Sequence, residues 1–455
     1  MDLLVLTVVL PLLVGTTACF LLGKNKSLLG RRLTALAAGA VTLSALGCLL
    51  LMAPEVMAGR TLLTQYPWVS DLGLTIGLRL DGLALMFGLL ITGIGSLIVL
   101  YGHYYLSPED SPGKLYTLLM LFMAAMLGVV LSDNLLLLVV FWELTSISSF
   151  LLVGYWGHRQ DARTGARMAL AVTGGGGLAM LAGVVVLGHI AGTFELSAML
   201  DQGARIREHA SFPLALVLIL LGCFTKSAQW PFHFWLPEAM AAPTPVSAYL
   251  HSATMVKAGV YLLARLNPAL GDSIAWSTIL ISIGAATALV GAVLAIRQTD
   301  LKRVLAYTTV TVLGQLTMLL GTNTHYGLQA FAIYLVAHAF YKAALFMAVG
   351  AVDHATGTRQ ISQLGGLIRH MPLTGFAVAL AAFSNAGLPP FFGFIAKEFT
   401  YAGLIELGLA GWITTAVMIL TNALLLTAAG VVFVRAFLGR EGRYPHAPHE
   451  VSLPM

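Results

Sequence analysis

The chain has 455 residues, 58% of them hydrophobic even before its 47 glycines are counted, whereas soluble proteins reach about 45–50% with glycine included. Charged residues make up 10% against a usual share of about 25%, and the formal net charge is +5. This composition excludes a disordered polymer, a nucleic-acid-binding protein and an ordinary soluble enzyme, and it describes a polytopic membrane protein.

A bilayer-spanning helix needs about 20 mostly apolar residues. Thirteen stretches qualify: 3–22, 33–53, 80–105, 115–131, 134–153, 167–190, 212–229, 244–265, 273–296, 303–321, 327–350, 372–404 and 410–438. The first lacks a basic leader and a small-residue cleavage site, so it reads as an uncleaved span. The short alternating segments of a β-barrel do not occur, and the expected fold class is all-α.

Basic residues indicate the orientation. With the amino terminus outside, the inside connections and their flanks hold Lys24, Lys26, Arg31, Arg32, Lys114, Arg159, Arg163, Arg167, Arg297, Lys302, Arg303, Arg359, Arg369, Arg435, Arg440 and Arg443. The outside connections hold only Arg60, Arg79, Arg205, Arg207 and Arg265. That imbalance favours an outside amino terminus and an inside carboxyl terminus.

Four lysines, Lys226, Lys257, Lys342 and Lys397, and one glutamate, Glu143, fall inside the spans. Each charge at membrane depth costs about 2.5–3.5 kcal/mol on insertion scales. Lysines near a span end can snorkel to the headgroups, and one buried charge can be a structural ion pair. Five together point to a polar path instead. A buried ammonium loses solvation, which favours the neutral amine, and a nearby carboxylate restores the charge. Lysines can therefore load and unload a proton, with Glu143 as their modulator. His233, His251 and His338 add relay candidates, since imidazole both donates and accepts near neutrality. His338 and Lys342 are spaced i, i+4 and share a helix face. Asp81, Asp133 and Glu398 read equally as relay groups or as boundary charges.

Two spans are interrupted by prolines: Trp230-Pro231 and the prolines at 237, 243 and 245 follow Lys226, and Pro389-Pro390 precede Lys397. Non-helical backbone at membrane depth survives only against protein or water, and paired interruptions mark a transport site built from repeats. The run Gly174–Gly177 lacks a phosphate-loop pattern and reads as close helix packing or a kink. Cys19, Cys48 and Cys223 lie far apart without a CxxC pair, so no iron–sulfur cluster, zinc site or disulfide framework is expected. No nucleotide, flavin or haem motif appears, so no cofactor is expected and the energy must come from an ion gradient or a partner.

The stretches 132–146 (SDNLLLLVVFWELTS), 225–240 (TKSAQWPFHFWLPEAM) and 242–257 (APTPVSAYLHSATMVK) resemble the antiporter-like subunits shared by respiratory complex I, membrane-bound hydrogenases and Mrp-type cation/proton antiporters. The wording of 142–156 (WELTSISSFLLVGYW) looks most like the large A subunit of Mrp antiporters. The resemblance implies two inverted five-helix repeats, each with a broken helix. Helices one to three occupy 1–110, the repeats 111–266 and 267–440, and a polar end 441–455. It implies a proton pathway through Glu143, Lys226, His233, His251, Lys257, Lys302, His338, Lys342 and Lys397. It also implies a fourteenth helix, and this sequence is expected to stop short of it in the tail Tyr444–Met455.

The function so implied is proton translocation within a multisubunit Na⁺(monovalent cation)/H⁺ antiporter in a bacterial plasma membrane, beside other membrane subunits. Hard oxygen ligands for Na⁺ are few here, and a partner subunit can supply that route. The rival readings are a pumping subunit of complex I or of a hydrogenase, and a scaffold that carries no ions.

Overall fold

The structure, a computed structural model, describes residues 2–25, 27–405, 407–452 and 455. Lys26, counted among the inside charges, and Leu453 and Pro454 of the polar tail lie outside the described residues.

Because hydrocarbon offers no hydrogen bonds, each span must satisfy its backbone internally, and helices result. In chain order the first are α1 (Leu3–Leu22) and α2 (Leu28–Met57). A hairpin follows, of β1 (Leu62–Val69) and β2 (Leu74–Leu80). Then come α3 (Gly82–Tyr105), α4 (Pro112–Leu131), α5 (Leu135–Val153), α6 (Gln160–Ala191) and α7 (Phe212–Lys226). The remainder comprises α8 (Thr244–Ser252), α9 (Ala258–Leu270), α10 (Ile274–Ile296), α11 (Leu301–Gly321), α12 (His325–Thr356), α13 (Pro372–Ala386), α14 (Phe392–Ile405) and α15 (Gly411–Leu438). Among the described residues, 10 of these helices are long and apolar enough to cross a membrane alone. The rest are shorter pieces, and α8 with α9 and α13 with α14 each occupy one expected span. The protein is an all-α polytopic membrane protein.

Local chemistry sets the helix starts. Asp81, Ser111, Asn134 and Asp300 each place a side-chain oxygen on a backbone N–H of the first turn. The chain leaves α7 at Lys226 and enters a short 3-10 turn at Phe232–Phe234, while α13 closes at Gly387 (φ +76°) before Pro389-Pro390. One expectation fails here. The span 244–265 is not continuous but stops at Ala253 and Thr254, between α8 and the 3-10 turn Met255–Lys257 that leads into α9. The hairpin was also unforeseen. Its antiparallel register runs from Leu62 opposite Leu80 to Pro67 opposite Thr75.

The chain divides into two compact units, Met1–Lys226 with Ala253–Ser273, and Ser227–Ser252 with Ile274–Met455. In the first, the hairpin is stitched to the turns on either side of α5 and α6. Gln65 Nε2 donates to Glu195 Oε2 at 3.2 Å, Thr75 Oγ1 to Glu195 Oε1 at 2.6 Å, and Asp133 accepts from Ser197 N at 3.1 Å and Ser197 Oγ at 2.7 Å. Arg265 lies in α9 rather than in an outside loop. It is buried, and its guanidinium grips both carboxylate oxygens of Asp81. Arg265 Nε also donates to Tyr261 Oη at 3.1 Å, and that hydroxyl donates to Val130 O at 2.7 Å. Asp81 and Asp133 are thus fixed structural groups, and Glu398 is exposed.

Burial pushes the Asp133 carboxyl up from its usual range, against the Ser197 donors that favour its charged form. A raised carboxyl binds more protons in the folded chain, so the wild type loses stability as pH rises from the ordinary carboxylate range through the raised value. Asp133→Asn cannot titrate. Its melting temperature is expected to gain on the wild type between pH 4 and pH 8, and a difference that stays constant across that range would refute this origin.

In the second unit α10 and α11 approach backbone to backbone: a Cβ at Gly284 would lie 2.6 Å from Met318 N. Lys302 is not the loop charge it resembles. It sits buried in the first turn of α11, and its Nζ donates to Ala242 O at 3.2 Å. Lys302 and Arg265 therefore both leave the loop census, one from each side, and the imbalance stands without them.

Candidate functional site

In the first unit the site is built on α5, α6 and α7. Lys226, the last residue of α7, is fully buried and does not snorkel. Its Nζ donates to Trp142 O at 3.1 Å and to Ser146 Oγ at 2.7 Å, and it lies 5.2 Å from the Trp142 ring centroid. Glu143 follows Trp142 on α5, yet it forms no ion pair with Lys226 within 4.0 Å. Its Oε1 is buried without a protein hydrogen-bond partner, as is Trp142 Nε1. An orphaned buried acceptor costs about 1–3 kcal/mol, so this corner suits water. Lys257 is also fully buried, at the end of the 3-10 turn before α9.

The glycine run on α6 explains how Glu143 fits. A Cβ at Gly177 would overlap Glu143 Oε1, and one at Gly176 would overlap Thr225 Oγ1 beside Lys226. The run is close packing, as its sequence suggests, but the packing is against the charged corner. Gly177→Ala meets only the flexible end of Glu143, so the fold is expected to survive while the carboxylate is displaced. A density map of the Gly177→Ala chain should show the Glu143 carboxylate moved from its wild-type place while the helices keep theirs. A carboxylate left where it was would refute this reading of the glycine.

The second unit holds the other candidates. His233 lies in the 3-10 turn Phe232–Phe234, half-buried, with a buried Nδ1 that has no hydrogen-bond partner. His251 on α8 is fully buried, its ring centroid 5.9 Å from Phe346 and both ring nitrogens without a hydrogen bond. Lys342 on α12 is fully buried and donates to Leu305 O at 3.0 Å and to Thr308 Oγ1. His338, one turn earlier, is buried edge-on to Tyr341 at 5.4 Å. Lys397 on α14 reaches back across the helix break, where Nζ donates to Ala386 O at 2.7 Å. Gly387 makes the room, since a Cβ there would overlap Lys397 Cδ.

A shared chemistry emerges. Lys226, Lys302, Lys342 and Lys397 each rest on a backbone carbonyl, at the end of a helical segment for Ala242 and Ala386 and inside α5 and α11 for Trp142 and Leu305. Among the described residues, Lys226, Lys342 and Lys397 have no carboxylate within 4.0 Å. A fixed carboxylate would lock an ammonium in its charged form. A carbonyl accepts from an amine and from an ammonium alike, so the contact survives loss of the proton. Sequence reasoning missed these acceptors. Ser146, on the same helix as Glu143 and three residues on, offered a signal, whereas Thr308 stands on a different helix from Lys342 and backbone carbonyls carry none.

The profile described as "NADH:quinone oxidoreductase/Mrp antiporter, TM" matches residues 132–433, and that of "NADH-Ubiquinone oxidoreductase (complex I), chain 5 N-terminus" matches 67–114. The chain is 49% identical over 425 residues to a Rhizobium meliloti protein named as the probable A/B subunit of a K⁺/H⁺ antiporter, covering 91% of this chain and 42% of that protein. It is 47% identical over 355 residues to the A subunit of the Na⁺/H⁺ antiporter of Alkalihalophilus pseudofirmus, covering 75% of this chain and 44% of that one. The solved Mrp complex of Dietzia sp. DQ12-45-1b contains a chain that superposes with a TM-score of 0.81 at 38% identity, covering 94% of this chain and 47% of that chain. The chain thus spans about half the length of the curated relatives it matches.

Proposed function

The chain belongs to the NADH:quinone oxidoreductase/Mrp antiporter membrane family, and on that premise we propose that it is a proton-translocating part of a multisubunit monovalent cation/H⁺ antiporter. It is a transporter component rather than an enzyme, working beside other membrane subunits in a bacterial plasma membrane with its amino terminus outside. The observation that carries this reading is Lys226, fully buried and held by Trp142 O and Ser146 Oγ one turn from an orphaned Glu143 carboxylate oxygen.

In the first unit Glu143, Lys226 and Lys257 exchange protons through water. In the second, His233, His251, Lys302, His338, Lys342 and Lys397 form a corresponding series. Residues 111–266 and 267–440 act as two inverted five-helix repeats after the helices of 1–110, with 441–455 a polar end. Sequence identity of 47–49% to chains named as antiporter subunits supports this reading over an oxidoreductase pump. Those names carry both K⁺ and Na⁺, so the cation is decided by exchange.

Inverted or reconstituted vesicles bearing the intact complex should dissipate a preformed pH gradient on addition of Na⁺ or K⁺. Failure with both ions would overturn the proposal, as would co-purification with flavin and iron–sulfur subunits. A scaffold is distinguished by Glu143→Ala and Lys397→Ala, which would then change assembly and leave ion flux alone.

A further inference from the structure

Helices α2 and α3 touch where a Cβ on Gly88 would lie 3.0 Å from Leu49 Cδ1, and a cleft of 820 Å³ lies between them toward the start of α2. Ala35, Gly39 and Ala40 keep its floor low, and the position a Cβ would take on Gly39 has no atom within 4 Å. Leu36, Leu43 and Leu97 form the walls and are exposed at 68%, 58% and 52%. Arg32 and His103 stand together at the open end. Arg31 beside them is spent on the carbonyls of Leu106, Ser107, Pro108 and Asp110. Arg32, by contrast, is exposed and has no protein acceptor among the described residues.

We propose that this cleft seats one acyl chain of an anionic phospholipid, with the headgroup phosphate on Arg32 and His103. The dimensions fit one leaflet. From Arg32 to Leu43 the helix rises about 16 Å, and half a hydrocarbon core is about 15 Å. Beyond the cleft the two helices are in contact, Leu49 Cδ1 lying in van der Waals reach of Gly88. The unpaired guanidinium calls for an anion, and basic pockets between membrane helices take anionic headgroups. Nor is this end isolated. A groove of 290 Å³ at the base of α6 is lined by Lys114, Arg163 and Arg167 with Phe150 and Leu151, on the same side of the bundle by helix alternation. This end of the first unit therefore presents cations at two apolar clefts, and neither cleft is lined by Glu143, Lys226 or Lys257.

The test is native mass spectrometry of the purified intact complex with added phosphatidylglycerol or phosphatidylcholine of identical chains. The wild type should retain phosphatidylglycerol in preference to phosphatidylcholine, and inorganic phosphate should not displace it. Arg32→Gln should lose that preference by about fivefold, the worth of one basic contact at the headgroup, while still binding phosphatidylcholine. Gly39→Leu fills the cleft and should lose both lipids. Equal retention of the two lipids by the wild type would overturn the proposal. So would displacement by phosphate alone, or crosslinking of Gly39→Cys to another subunit's helix instead of to a photoactivatable phosphatidylglycerol.

Discussion

Replacing Lys226 with alanine is expected to reduce cation-driven proton flux to the vesicle background while the complex assembles at normal yield. The amine makes two contacts, to Trp142 O and Ser146 Oγ, and neither joins helices through an ion pair. Exchanging a buried ionisable group for an apolar one is often neutral or stabilising, so Lys226→Met should be at least as stable as the wild type. The proposed function sets transport apart, because it makes Lys226 a proton carrier between Glu143 and the break after α7. Lys226→Arg sharpens the point: it keeps the charge and the donors, but guanidinium does not release its proton. All three variants should be inactive in acridine-dye assays of a pH gradient collapsed by Na⁺ or K⁺. Undiminished exchange in Lys226→Arg would mean that a fixed charge suffices, and proton transfer at this residue would be ruled out.

The largest effect on stability is expected at Arg265. Its guanidinium is 5% exposed and forms a bidentate pair with Asp81, which also caps α3 and lies 3.3 Å from Arg79. Removing one partner of a buried pair costs about 3–5 kcal/mol when the other charge is left unpaired, and because Arg79 still faces Asp81 the loss should lie toward the lower end. Arg265→Ala should lower the melting temperature and yield of the complex, and Asp81→Asn with Arg265→Met should recover much of the loss. Burial alone would raise the Asp81 carboxyl, but the Arg265 hydrogen bond and charge, with the Ala84 N–H and the Arg79 charge, hold it below its usual range. A lowered carboxyl contributes stability above its unfolded value of about 3.9 and loses it as pH falls through the lowered value. With Arg265 gone burial pushes the Asp81 carboxyl up, so the destabilisation by Arg265→Ala should grow as pH rises from the ordinary carboxylate range and level off once Asp81 is ionised in the variant. A loss that shrinks as pH rises would contradict the pairing.

Much of this architecture is legible in the sequence, because hydrocarbon imposes one rule on every span. Long apolar runs become helices, and the prolines after Lys226 and before Lys397 break them where expected. The break at Ala253 and Thr254 carried no proline or glycine and passed as continuous helix. The hairpin stayed hidden because β1 is largely exposed and shows no clean alternation of apolar and polar residues. Lys302 and Arg265 misled for a common reason: each lies at an expected span's end, where a local reading sees a loop. Only tertiary structure puts Ala242 O under the one amine and Asp81 against the other side chain. The candidate carriers were legible as charges that hydrocarbon should not tolerate. Their carbonyl acceptors were not, since every residue has a carbonyl.

The most direct measurement is a cryo-electron microscopy map of the intact complex, sharp enough to resolve ordered water around α5 and α7. Water peaks should link Glu143 Oε1 to Lys226 Nζ and continue from that corner into the protein. A dry gap between the two groups, with the amine sealed by side chains on every side, would show that no proton can pass there.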